Sequence, residues 1–157
     1  MPIQTRTSSR RFHHPPFSLD SAHGGCPDIL NALHRAVAAS KRLPDAVISG
    51  HVHNYQRFSR KVNDPKTNKV RTIPYIVAGA GGYADDARSL HKLQKDLKSK
   101  RLPVQTTLTD VRLENFHQEE PGFLQITVDK NQIAFEYFLV PFVGSADQMS
   151  LFERFTA

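Results

Sequence analysis

Acidic residues are scarce in this chain. Fifteen aspartates and glutamates face 21 lysines and arginines, which gives a formal charge of +6 and a pI of about 9.7. That balance leaves anionic partners open: phosphorylated small molecules, nucleic acid or a membrane surface. The basic residues are spread along the sequence, as a generically basic surface also requires. Cysteine is reduced to Cys26, so an intrachain disulfide is excluded and no redox compartment is implied. No apolar run approaches the ~18 residues of a membrane-spanning helix, and a membrane partner is not expected. The hydrophobic fraction, 39%, is low for a compact domain. The ten prolines exceed the usual share of roughly 5%. Many loops are expected, around a core that is not self-sufficient. The 157 residues are one ordinary domain in length. There is no internal repeat and no low-complexity segment. The opening "MPIQTRTSSRRFHHPP" has three arginines and no acid, but it is too short for an organellar transit peptide. The sequence leaves localisation open.

Several elements are legible. Residues 1–11 lack periodicity and are expected to be disordered. "HHPPFS" (His13 to Ser18) is a loop, because two consecutive prolines forbid helix and interior strand. A helix is expected from about Pro27 to Ser40. Proline suits its first position, Asp28 its positive end, and Leu30, Leu33 and Val37 its buried stripe. "DAVISG" reads as a short buried strand, "YQRFSRKV" (Tyr55 to Val62) as the next, and Tyr75 to Ala78 as another that ends in glycines. Short apolar strands separated by loops suit a layered α/β protein. Leucines at 90, 93 and 97 predict an amphipathic helix over Asp86 to Lys100. Leu124, Ile126 and Val128, a "DKNQ" turn, then Ile133, Phe135, Tyr137 and Leu139 predict a hairpin. The domain is expected to run over 12–143, with 144–157 as a tail.

The chemistry lies in the histidines. In "SGHVHNYQRF" (Ser49 to Phe58), His51 and His53 flank Val52 where a buried strand runs out. If that peptide is extended, both imidazoles face one way with Cα atoms about 6.6 Å apart. Each could then serve one of two metals roughly 3.5–4 Å apart. Gly50 is expected to allow close approach of backbone to the site. Polar residues at a strand exit are the alternative. His13 and His14 precede Pro15, whose ring can fix the loop that presents them.

Taken in order, "HHPPFS", "HGG" (His23 to Gly25), "GHVHNYQRF" and "IPYIVAGAGG" (Ile73 to Gly82) resemble the C-terminal half of the calcineurin-like metallophosphoesterases. The likeness is strongest to their purple-acid-phosphatase-related branch, and it covers roughly residues 12–83. It implies an α/β fold, layered α+β, that is the C-terminal half of an αββα sandwich. It also implies hydrolysis of a phosphate ester of acid-phosphatase type at a two-metal centre of Fe, Mn or Zn. His13, in the H-x-P motif, and His51 and His53, in G-H-x-H, would be metal ligands. His14, His23, Tyr55 and Arg57 are candidates for the substrate side, although strand packing explains Tyr55 and Arg57 equally well. His34 is expected on the helix surface, His91 and His117 to be structural, and Cys26 in a capping or packing role.

The family's D-x-H, G-D-x-x-D and G-N-H motifs are absent from the sequence. They would supply the carboxylates, the asparagine ligand and the histidine that assists the leaving group. "SLDSAH" puts Asp20 at the wrong spacing from His23. The chain looks like a member cut before its fourth motif, inactive alone and holding at most one metal, weakly. A missing N-terminal half is then a partner, alongside a small phosphate-ester substrate. The alternative is a non-catalytic remnant. A polyanion-binding module built on the Lys-rich run from Arg88 to Arg101 is more distant. That run lacks interleaved aromatics, which disfavours nucleic acid.

Overall fold

The structure is a computed structural model that describes residues 9–82, 89–97, 99–143 and 148–157. Its larger sheet contains β1 (Ser9–Phe12), β2 (Ala46–Ser49), β3 (Tyr55–Asn63), β4 (Val70–Ala78), β5 (Val104–Gln105) and β6 (Val111–His117). Their order is β1-β2-β4-β3-β6-β5. β1, β2 and β4 run parallel; β3 turns back between β4 and β6. A second sheet stacks β7 (Gly122–Val128), β8 (Ile133–Leu139) and β9 (Ser150–Thr156), all antiparallel.

The strand period sorts the core into two layers. Val47, Phe58, Tyr75 and Val77 face a cluster with Phe17, Leu93 and Leu33 of helix α1 (Pro27–Ser40). Ala46, Ile48, Tyr55 and Ile76 face the other way, onto Ile133, Phe135 and Tyr137 of the second sheet. β2 is therefore buried on both faces, as its unbroken apolar run requires. The result is helix on sheet on sheet, a mixed α+β arrangement. Helix α1 has Pro27 at its start and Asp28 in its first turn. It ends where Lys41 turns left-handed (φ 55°) and donates its N–H to Val37 O. At the hairpin tip, Asp129 Oδ1 accepts the Asn131 and Gln132 N–H groups.

Three expectations need correction. Residues 9–11 are not disordered: "SRRF" pairs in parallel with β2, Ser9 opposite Ala46 through Phe12 opposite Ser49. Residues 1–8 lie outside the described residues. Backbone pairing to an established strand overrides the polar side chains, an effect that periodicity does not register. The helix expected over 86–100 is not formed where it is described. Only a 3-10 turn (Lys95–Leu97) appears, and 86–88 and 98 lie outside the described residues. Leu90, Leu93 and Leu97 are buried as expected. The segment's backbone bonds instead to distant loops: His91 N–H to His53 O, Gln94 N–H to Leu19 O, and Ser21 N–H to Lys92 O. The Lys-rich run is thus no helical face among the described residues, and Lys92 donates to Gln118 O and Glu119. Finally, Ser150–Thr156 is a strand rather than a tail. A register shift opposite Tyr137 and Phe138 breaks its alternation, which hid it.

Candidate metal centre

Three parallel strands end on the same side of the larger sheet, and the cluster follows from that. His13 and His14 come directly after β1, and His51 and His53 directly after β2. The "GAGG" loop comes after β4. Loops beyond the carboxyl ends of parallel strands are where α/β sheets place ligands. Gly50 N–H donates to His13 O, which ties the first two loops together (3.1 Å).

The close approach needs a glycine, but at Gly79 rather than Gly50. A Cβ at Gly79 would collide with the Val52 carbonyl oxygen, whereas one at Gly50 would meet nothing within 4 Å. Gly79→Ala should therefore cost about 2 kcal/mol or more, and Gly50→Ala no more than about 0.5 kcal/mol. Urea unfolding of the two variants checks this; equal losses would refute the assignment.

The H-x-H segment is not extended either. His51 has φ 63°, a left-handed value that non-glycine residues rarely adopt. The turn sends the two histidines in different directions. His51 Nδ1 lies 3.1 Å from His13 Nε2, and its ring centroid lies 4.0 Å from that of His14. His53 instead stacks on His91 at 4.4 Å. His91 in turn stacks on His23 at 4.4 Å, and His23 meets His51 edge-on at 5.5 Å. Six of the eight histidines thus form one continuous ring cluster.

Sequence reasoning missed two members, His91 and Asp20. His91 is held by a reciprocal pair: its N–H donates to His53 O (3.0 Å), and its Nδ1 accepts the His53 N–H (3.1 Å). Asn54 Nδ2 donates to His91 O, Gln56 Nε2 to Asn54 Oδ1, and Leu19 N–H to Gln56 Oε1. Asn54 and Gln56 are fully buried, so this polar chain fixes the segments that carry the histidines. Asp20 is buried too. Its Oδ1 accepts the N–H groups of Ala22 (2.9 Å) and His23 (2.6 Å) and lies 3.3 Å from His23 Nδ1. Its Oδ2 is buried without a hydrogen-bond partner. No local spacing announces His91, which arrives through long-range loop contacts, whereas Asp20 meets His23 within its own turn. Tyr55 and Arg57 take the packing alternative. Both face the second sheet and bond to Glu153 of β9.

Two groups have donor atoms within 4.8 Å of one another: His13, His14, His51 and Asp20, His23, His91. The second suits a metal poorly. The His23 and His91 rings are parallel to within 3°, and an ion cannot lie in two separated parallel planes. Moreover, His91 Nδ1 is already an acceptor. In the first group His13 and His14 are exposed, His51 is half-buried and the rings are mutually inclined, so the nitrogens can converge. This donor set fits one ion. Among the described residues it does not extend to two, since Asp20 is the one carboxylate they bring to the cluster, and its Oδ1 is taken by its own turn and His23.

Burial and the neighbouring imidazoles His14, His13, His23 and His53 hold His51 below the ordinary 6.5. His53 and His91 are also lowered, first by burial; the Asp20 charge partly offsets this in both. The sign follows. Above 6.5 both folded and unfolded chains hold these rings neutral. Below it the unfolded chain takes up protons that the folded chain resists, so stability falls. In chelator, the melting temperature should drop between about pH 7.5 and about pH 5. A flat or rising profile there would contradict this.

No protein-family model and no curated protein matches the sequence. Among solved structures, the chain is similar to a purple acid phosphatase isolated from yellow lupin (Lupinus luteus) seeds, with a TM-score of 0.60 and 18% identity. The match covers 99% of this chain but 26% of the lupin chain. The fold is thus that of part of a purple acid phosphatase, the branch to which the sequence motifs already pointed.

Proposed function

We propose that this chain is the imidazole side of a metal-dependent phosphoesterase centre. His13, His51 and His53 are ligands, and a phosphate ester is the substrate. The observation that carries this reading is the convergence of the β1 and β2 exits, which brings His13 and His51 to 3.1 Å in a fold similar to an acid phosphatase. A metal held there supplies Lewis-acid polarisation of a phosphoryl oxygen. Asp20 Oδ1 holds His23 through Nδ1, which leaves Nε2 as the lone-pair nitrogen, able to accept from a protonated phosphate oxygen. His14, exposed beside His51, can contact the same anion. Arg57 is not part of this set, because Glu153 engages it.

Turnover requires carboxylates beyond those that the described residues bring to the cluster, from a polypeptide carrying D-x-H, G-D-x-x-D and G-N-H. The metals are Fe, Mn or Zn in that complete centre. A non-catalytic remnant is the second reading, and it is favoured by the parallel stacking of His23 on His91 beside Asp20, which suits a metal poorly. The test is hydrolysis of p-nitrophenyl phosphate by this chain alone and when joined to the carboxylate-bearing segment. The reading requires background rates in the first and metal-dependent turnover in the second. Background in both selects the remnant.

A further inference from the structure

We propose that His14 joins His13 and His51 in a three-imidazole site that binds one divalent transition ion without any carboxylate. The inference rests on the reading above for His13 and His51 only, and it gives His14 the place that the resemblance assigns to other residues. The 3.1 Å between His51 Nδ1 and His13 Nε2 is close to the separation of about 3.3 Å between two nitrogens on a tetrahedral zinc ion. The His13 ring stands at 85° to His14 and 67° to His51, so one point can lie in the planes of both partners. All three donor atoms fall within 4.8 Å of one another, and His53 is not among them.

The backbone is built to hold this arrangement. Pro15 and Pro16 stiffen the chain directly after His14, and Cys26 N–H pins Pro15 O at 2.8 Å. The left-handed conformation of His51 carries a strain of roughly 1–3 kcal/mol, and the surrounding loop must over-determine it. Val52 N–H to Gly50 O (2.7 Å) and Gly50 N–H to His13 O do so. Such strain at a ring aimed into a cluster of donors points to a site. Three neutral imidazoles select Zn²⁺, Co²⁺, Ni²⁺ or Cu²⁺ over Mg²⁺ and Ca²⁺. They leave the ion its full charge and an open position, which suits an oxyanion such as phosphate as the fourth ligand.

The experiment is titration of the whole chain, carrying no histidine tag, with Zn²⁺ by calorimetry and with Co²⁺ by visible absorption. One equivalent is expected, with the cobalt spectrum of a four-coordinate site. His14→Ala and His14→Gln should each weaken binding by about tenfold or more, as ligand loss must at least match loss of a supporting partner. His34→Ala, at a ring that contacts Arg60 outside the cluster, should leave binding and spectrum unchanged. Circular dichroism verifies the fold of each variant. Where the chain is too dilute for calorimetry, protection by Zn²⁺ of His13, His14 and His51 from diethylpyrocarbonate gives the same answer. Full affinity in both His14 variants, loss in His34→Ala, or a folded chain that binds no ion would each overturn the proposal. The two readings fail separately. Zinc bound through His14 with no turnover in the joined protein sinks the phosphoesterase, whereas turnover without His14-dependent binding sinks this site.

Discussion

In a protein that joins these residues to the D-x-H, G-D-x-x-D and G-N-H segment, replacing His51 and His53 together by alanine should abolish phosphatase turnover. Lewis-acid stabilisation of a phosphoryl transition state amounts to several kcal/mol. At about 1.4 kcal/mol per factor of ten, the expected fall is about a thousandfold or more. The two side chains leave the same turn in different directions, one toward His13 and the other toward His91. Neither can therefore substitute for the other. The control is His34→Ala: this ring contacts Arg60 and is not among the clustered imidazoles, so turnover should be unchanged. Retention of a tenth or more of the rate in the double variant would show that the chemistry lies elsewhere.

The second large effect concerns stability. Glu153→Ala should destabilise the fold by about 3 kcal/mol, because it leaves a largely buried partner charge unmatched. Glu153 sits on the last strand, with its side chain 10% exposed. Its Oε2 accepts the Tyr55 hydroxyl proton at 2.6 Å, and its Oε1 accepts Arg57 Nε at 3.0 Å and an Nη2 hydrogen at 2.5 Å. Burial works against the Arg57 charge, yet the Glu153 hydrogen bond and charge outweigh it and hold the guanidinium above its usual value. Burial, then the Glu153 charge, pushes the Tyr55 hydroxyl well up. This network joins β9 to β3 across the two sheets. Tyr55→Phe should cost about 1.5–3 kcal/mol, as it removes one neutral donor from a charged acceptor. Urea unfolding of both variants checks this; a loss below about 1 kcal/mol for Glu153→Ala would mean that the pair is solvent-screened.

What the sequence made legible was local. Helix α1 carries its own start and stop in Pro27, Asp28 and Pro44. The β7–β8 hairpin carries its alternation and its Asp129 turn. β2 reads as buried from "AVI". The fold class followed from these, and "HHPP" and "GHVH" singled out His13 and His51, which the fold brings to 3.1 Å. The illegible parts depend on distant partners. β1 is a strand because β2 is beside it, and no apolar pattern of its own marks it. β9 is hidden by a register shift. His91 enters the cluster through two hydrogen bonds to His53, 38 residues away in sequence. Asp20 was judged on its spacing to His23, whereas a turn brings its carboxylate onto that histidine. Gly50 was credited with a close approach that Gly79 makes. Even the H-x-H spacing misled, because period-two reasoning holds only for extended backbone, and His51 is left-handed.

Part of the chain's surface also fits the reading of an incomplete centre. On β7, Ile126 and Val128 pair with Phe135 and Ile133 and so share the inward face, yet they are 39% and 57% exposed. An uncovered apolar strip of this kind invites association. The isolated chain is accordingly expected to be aggregation-prone.

The most direct test of the central claim is the metal content of the purified chain, measured by mass spectrometry after incubation with Mn²⁺, Fe²⁺ or Zn²⁺ and dialysis, with phosphatase turnover recorded on the same sample. The expected result is no more than one ion per chain and turnover at background, as imidazoles without carboxylates allow. Two ions per chain, with turnover that disappears in the His51→Ala/His53→Ala variant, would contradict the account. It would mean that these residues complete a dimetal centre on their own.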